Sequence, residues 1–243
     1  MFMKPSKRIL AFIVLLVITG FFIADYTKAP EKKRLQPVEA SIPDRFVYLD
    51  EIIPDAEYDI RYAGDNNFVG RPIDGYLAPK AIATDQVAMA LRNVQEELKQ
   101  QGLGIKVYDA YRPQRAVDDL VQWARDANDT KMKAEYYPNI DKSELFNQGY
   151  LAYKSGHSRG STVDVSIVNL KTKNEIDMGG QFDLLDPISQ HDSPLITEEQ
   201  RQNRNFLRSV MEKHGFIAYY KEWWHYTINN EPYPGEYFDF PIL

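Results

Sequence analysis

The chain has no cysteine, and only four histidines among its 243 residues. The first absence excludes disulfides, thiolate nucleophiles and Cys-ligated zinc. Any metal would have to sit on His and carboxylates. Basic charge is also short: 29 Lys and Arg stand against 35 Asp and Glu, a net charge of −6. No basic stripe is long enough to track a phosphate backbone, which argues against nucleic-acid binding. Disorder is disfavoured as well, because 44% of residues are hydrophobic and 26% charged. That mixture reads as globular. The length suits one domain with a tail, and is enough to bury a real core.

Long apolar runs are missing except at the N-terminus. Lys4, Lys7 and Arg8 precede Ile9 to Ala24, which carries no charge. This is a positive segment followed by a hydrophobic one, the pattern of an export signal. As a helix the run spans roughly 24 Å, a little short of a bilayer core of about 30 Å. Small residues for cleavage are poorly placed: Thr27-Lys28-Ala29 comes closest, and Pro30 follows directly. Residues 1–24 are therefore expected to be a signal peptide or membrane anchor, with a slight preference for the anchor. Residues 25–41, with Lys28, Pro30, Glu31, Lys32, Lys33, Arg34 and Pro37, read as a linker. The folded domain is expected over 42–243, exported, with membrane contact only through residues 9–24. Oligomeric state is left open.

Within that domain Phe46 to Leu49 reads as a strand, and Asp59 to Ala63 as another. Gly64 to Gly75 is a loop, and Tyr62 and Asn67 beside it are candidate substrate contacts. Ala83, Val87, Ala90, Leu91, Val94 and Leu98 repeat at helical spacing, with Thr84 or Asp85 as cap and Gly102 as stop. Ile105 and Val107 alternate with Lys106 and Tyr108, a strand signal. Pro113 suits the first position of a helix carrying Ala116, Val117, Leu120, Val121 and Ala124. Arg112 thus falls where a strand ends and a helix begins. Residues 128–150 read as irregular and are expected to rim a site.

Two stretches are dense in reactive side chains. Ser155 to Ile167 holds His157 between Gly156 and Gly160, then alternates: Thr162, Asp164 and Ser166 face one side, Val163, Val165 and Ile167 the other. An Asp in the middle of a strand is disfavoured and needs a partner, most economically a cation. Lys221 to Tyr226 holds Glu222, Trp223, Trp224 and His225. Catalytic zinc sites commonly combine three protein ligands with an open position. His157, Asp164 and His225 would meet that need. Glu222 could then serve as general base, and Arg112 as an oxyanion stabiliser. This demands a bend near Trp223, because residues three apart on a strand face opposite ways. The Trp pair is expected to wall this half of the pocket. His214 is explained as the end of a helix that starts near Thr197, and His191 as a loop residue.

Together these residues resemble a known family. Ser155-x-His157-x-x-Gly160-x-x-x-Asp164 with Glu222-Trp223-Trp224-His225 is similar to the VanX-type D-alanyl-D-alanine dipeptidases. Asp109 to Pro113, Met178 to Asp183 and the tail Glu231 to Pro241 add to the resemblance. It covers about residues 45–243. It implies an α+β fold: a single domain with a central, mainly antiparallel sheet and flanking helices, hedgehog-like or D,D-peptidase-like. It implies one zinc ion on His157, Asp164 and His225, Glu222 as base and Arg112 at the tetrahedral intermediate. Ser155 and Asp183 would help hold a D,D-dipeptide. Departures are Thr162 where Ala is usual, a Gly64 to Phe68 loop without the family's Trp, and the export segment. Three functions follow: a zinc dipeptidase, a zinc D,D-carboxypeptidase acting on peptidoglycan stems, or a non-catalytic zinc-binding module. Glu222 and Arg112 argue against the last, since a binder needs neither.

Overall fold

The computed structural model describes residues 42–243, so the apolar run and the linker lie outside the described residues. Two long strands organise it. They are β4 (Leu103–Asp109) and β5 (Thr162–Asn169), paired antiparallel with Val107 opposite Val165 and Ile105 opposite Ile167. The apolar alternation read from the sequence therefore becomes one shared core face. The chain reaches β4 through β1 (Phe46–Tyr48), α1 (Leu49–Ile52), β2 (Glu57–Tyr58), β3 (Ile82–Thr84) and α2 (Asp85–Lys99). Between β4 and β5 come α3 (Gln114–Arg125) and α4 (Lys133–Tyr136). After β5 follow α5 (Glu198–Lys213), β6 (Phe216–Ala218) and β7 (His225–Ile228). The five-stranded sheet runs β2-β4-β5-β7-β6, antiparallel except where β2 meets β4, and β1 pairs with β3 in a separate ribbon. This is the expected α+β architecture. Among the described residues no helix is long and apolar enough to cross a membrane.

Helices α2 and α5 pack on one another, α2 also on β4 and α5 on β6. Val87, Leu91, Val94 and Leu98 of α2 are fully buried, as their spacing predicts, and Gly102 follows at φ 72°. The N-terminus of α5 is closed by a reciprocal capping box between Thr197 and Gln200. Some readings need correction. Ala83 lies in β3, ahead of the helix, and Leu49 opens α1 instead of ending β1. Arg61–Ala63 is a 3-10 turn, and the strand lies earlier, at Glu57–Tyr58, where the chain can pair with β4. Pro113 is the N-cap of α3, not its first helical residue. Residues 128–150 are not wholly irregular, because Lys133–Tyr136 forms a helical turn.

One buried group sets a pH limit on the fold. His191 is 2% exposed, its ring meets Tyr226 edge-on at 6.0 Å, and neither ring nitrogen has a hydrogen-bond partner. Burial, reinforced by Arg208 and Arg204 and opposed by Asp192, pushes its pKa down to about 4. The unfolded chain takes up this proton near pH 6.5, before the folded chain does. Stability is therefore intact above about pH 6.5 and lost as pH falls toward 4, by about 3 kcal/mol from this residue. His191→Phe, which keeps an aromatic ring but cannot take up a proton, should flatten that part of the pH profile of the urea midpoint. An unchanged slope would remove His191 as its cause.

Candidate metal centre and active site

The polar face of β5 is buried as completely as its apolar face. Asp164, in its middle, is 1% exposed and lies directly opposite His225 on β7. Thr162 on the same face is opposite Thr227, and their hydroxyls share a hydrogen bond of 2.9 Å. That pairing ties β5 to β7 one step from the Asp164–His225 pair. His157 arrives from the 3-10 turn Gly156–Arg159, and Gly160 (φ 68°) returns the chain to β5. Gly156 is required by proximity: a Cβ there would lie 2.2 Å from Thr162 Oγ1.

His157, Asp164 and His225 each offer a ligand atom, and these atoms all lie within 4.8 Å of one another. His157 Nδ1 donates to the Ala110 carbonyl at 2.7 Å, so its Nε2 lone pair is left facing Asp164 Oδ2 at 3.4 Å. His225 Nδ1 lies 3.1 Å from Asp164 Oδ1, a buried oxygen without a hydrogen-bond partner. Two imidazole nitrogens and an orphaned carboxylate oxygen on one point are a donor set that fits a metal such as zinc. The bond from the other His157 nitrogen to a carbonyl is what a ligating His uses to fix its ring. His214 and His191 are elsewhere: His214 caps α5 and bonds Glu97 at 2.8 Å.

The bend demanded near Trp223 is present. His225 N–H donates to Glu222 O at 3.2 Å, closing a turn just before β7, and Glu222 Oε2 comes to 3.5 Å from His225 Nδ1. Base candidate and ligand candidate therefore share one cavity. The same turn separates the two indoles. Trp224 lines the pocket, whereas Trp223 lies away from it, beside Met178, Gly180 and Gln181, with the Arg204 guanidinium 6.0 Å from its ring centre. The expectation that both wall the pocket is corrected, because consecutive residues in a tight turn point apart.

Arg112 lies against the cavity with Nη2 3.5 Å from Asp164 Oδ2. It is aimed by Asp109, whose Oδ2 accepts from Nε at 2.9 Å and pairs with Nη2 at 2.8 Å. Tyr76 donates to the other Asp109 oxygen at 2.6 Å, and the Tyr62 ring lies 4.7 Å beneath the guanidinium. Asp109 was not singled out from sequence, because alternation from Ile105 and Val107 assigns it to the core face. A bulge after Val107 turns it instead to stand opposite Asp164. Tyr62, Ser155 and Asp183 also line the pocket. Tyr62 donates to Asp183 Oδ1 at 3.2 Å, and Asp183 Oδ2 is buried with no partner. Asp183 sits in the left-handed region at φ 63°. Ser155 Oγ accepts from His157 N–H at 3.2 Å. Asn67 does not line the pocket; it ties its own loop through Arg61, Gly64 and Arg71 carbonyls.

The electrostatics are uneven. Burial would raise Asp164, but His157 and His225 beside it hold it well below the usual carboxylate range. Burial raises Asp183 well above that range, helped by Asp164 and opposed by Arg112. Burial likewise pushes Glu222 up to about 8, with Asp164 adding to the shift. A dication among the ligands would draw such carboxyls back toward the ionised form. The cavity measures about 200 Å³. That is below the roughly 300–1,000 Å³ of pockets for drug-sized ligands.

A strand-borne Asp-His pair and a turn-borne His form a donor set that fits a metal, with a buried carboxyl beside them, the arrangement a metal-assisted hydrolase needs. The chain belongs to the peptidase M15 family, whose model, described as D-ala-D-ala dipeptidase, matches residues 43–243. It is 46% identical over 197 residues to a D-alanyl-D-alanine dipeptidase of Streptomyces coelicolor, covering 81% of this chain and 98% of that one. Dipeptidases of the same description from Enterococcus faecium and Enterococcus faecalis are 44% and 43% identical, each over 81% of this chain and 98% of their own length. The chain is thus an enzyme of a metallopeptidase family.

Proposed function

We propose that this enzyme hydrolyses the dipeptide D-Ala-D-Ala to two D-alanines, with one zinc ion held by His157, Asp164 and His225. The observation that carries the reading is the closure of these three donors, Glu222, Arg112 and Asp183 around one small cavity. When bound, zinc supplies Lewis acidity, lowering the pKa of water and polarising a carbonyl. The remaining work falls to the chain. Glu222 takes the proton of the attacking water at its carboxylate and passes it to the leaving amine nitrogen. Arg112, held by Asp109, faces the oxyanion in a site where exclusion of water strengthens the contact. Asp183, oriented by Tyr62, receives the substrate ammonium on its free Oδ2. Ser155, whose oxygen accepts from His157 N–H, keeps its own hydroxyl proton to give to the substrate. The small size of the cavity supports a dipeptide over a stem peptide, the substrate of a D,D-carboxypeptidase. The apolar run 9–24 after three basic residues supports export, with the enzyme acting outside the cytoplasmic membrane.

The test is D-alanine release from D-Ala-D-Ala and from a pentapeptide stem, with chelator, after zinc is restored, and across cell fractions. Release from the dipeptide that chelator abolishes and zinc restores is expected, in an extracytoplasmic or membrane fraction. Preference for the stem, or indifference to chelator, would sink the proposal.

A further inference from the structure

One wall of the cavity is a stretch without regular strand or helix, residues 145–155, from which Gly149, Tyr150, Leu151 and Lys154 line the pocket. Its shape is internally bonded: Gly149 N–H donates to Phe146 O at 3.0 Å, Tyr150 N–H to Leu145 O at 2.9 Å, and Phe146 stacks on Tyr153 at 4.8 Å. Such a loop is a compact unit, packed by its own side chains. Its position is set from outside. The Tyr219 hydroxyl donates to Gly149 O at 3.0 Å, and the Lys221 ammonium donates to Gln148 O. The Lys221 ammonium also lies 5.9 Å from the Tyr150 ring centre. On the other limb Gln114 Nε2 donates to Tyr153 O at 3.1 Å.

Tyr219 joins this loop to the reactive half of the site. It lines the pocket, and its ring meets that of His225 edge-on at 5.5 Å. Its N–H donates to His225 O at 3.0 Å, and Glu222 N–H donates to its carbonyl at 3.2 Å. The inner part of the cavity is closed by Tyr62 and Asp183, which are 1% and 4% exposed. The rim loop is therefore a wall of the cavity held in place by side-chain bonds to its backbone carbonyls.

Resting on the dipeptidase reading, we propose that Tyr219, seconded by Lys221, is a specificity-determining positioning residue: by clamping the carbonyls of Gly149 and Gln148 it fixes the cavity at the length of two residues. Neither side chain need touch the reacting atoms. Their contribution is exclusion, since a peptide with a third residue must break the clamp before it binds, whereas a dipeptide need not.

The experiment compares kcat/KM for D-Ala-D-Ala and D-Ala-D-Ala-D-Ala with zinc-loaded, full-length enzyme. Tyr219→Phe with Lys221→Met keeps the ring on His225 and removes both donors. Gly149→Ala attacks the clamp from the loop, at φ 76°, with its Cβ 3.0 Å from the Tyr219 hydroxyl and away from His225. Both variants should raise the tripeptide-to-dipeptide ratio about tenfold, the worth of a lost hydrogen bond or two. General destabilisation lowers both rates together and leaves the ratio alone. If the Tyr219 variant loses zinc, Gly149→Ala decides. An unchanged ratio in both overturns the proposal. Amide hydrogen exchange at Gly149–Leu151 reads the clamp without turnover: it should quicken in both variants, and unchanged exchange also overturns the proposal. Wild-type enzyme that cleaves neither peptide refutes the dipeptidase reading instead, with the exchange result still judging the clamp.

Discussion

Glu222→Ala is expected to lower dipeptide turnover by about 10²–10⁴-fold while zinc content per chain stays at the native value. The carboxylate is not in the donor set; it stands beside it, 3.5 Å from His225. Removing it takes away the proton acceptor and leaves the two imidazoles and Asp164 in place. The effect on stability has a definite sign. Glu222 is pushed up to about 8 in the metal-free site, above its ordinary value near 4.5. Metal-free enzyme therefore loses stability as pH rises from about 4.5 toward 8, because only the unfolded chain ionises freely. The Ala variant should show a flatter profile over that window in metal-free urea titrations. Retained turnover would remove Glu222 from the base role, whatever the stability profile does.

Asp164→Asn should lose both metal and activity. Asp164 is the anionic member of the donor set, and Arg112 lies 3.5 Å away. An amide keeps the shape and one oxygen but removes the negative charge between the dication and the buried guanidinium, leaving Asp109 alone to offset the latter. Zinc affinity should fall by more than about 100-fold, beyond what changes behind the ligands cost. Because the folded chain holds Asp164 below its ordinary pKa, its contribution to stability is present above about pH 4 and lost as pH falls further. The variant should lack that acid limb. Zinc bound one-to-one by Asp164→Asn, measured by metal analysis after gel filtration, would refute its place among the ligands.

Much of the site could be read from the sequence because local pattern encodes it. Alternation from Thr162 to Ile167 sets Asp164 on the face opposite the valines, and that face is where His225 arrives. The glycines around His157 announce an unusual backbone path, and Glu222 with His225 requires a turn that is present. What escaped reading depends on contacts between distant segments. Asp109 is turned to the site by an irregularity that strict alternation conceals. Tyr219 reveals its place only when Gly149, seventy residues earlier, lies against it. The two tryptophans, adjacent in sequence, go to different sides because a turn divides them. Asp59 to Ala63 reads as extended, yet only Glu57–Tyr58 pairs with β4.

The extra residue in β4 has a consequence for how this chain tolerates changes of length. The strand carries two phases, apolar-inward before Tyr108 and polar-inward after it. Deleting Tyr108 would restore strict alternation and leave Asp109 facing Asp164, whereas deleting a residue between Asp109 and Arg112 would break the spacing of that pair and swing Arg112 off its support. The exposed turn at Lys171–Lys173, beyond the far end of β5, carries no such constraint. Insertions and deletions in this scaffold are thus graded by phase as well as by exposure. The stretch that leads from the sheet to Arg112 must keep its residue count even where individual side chains are free to vary.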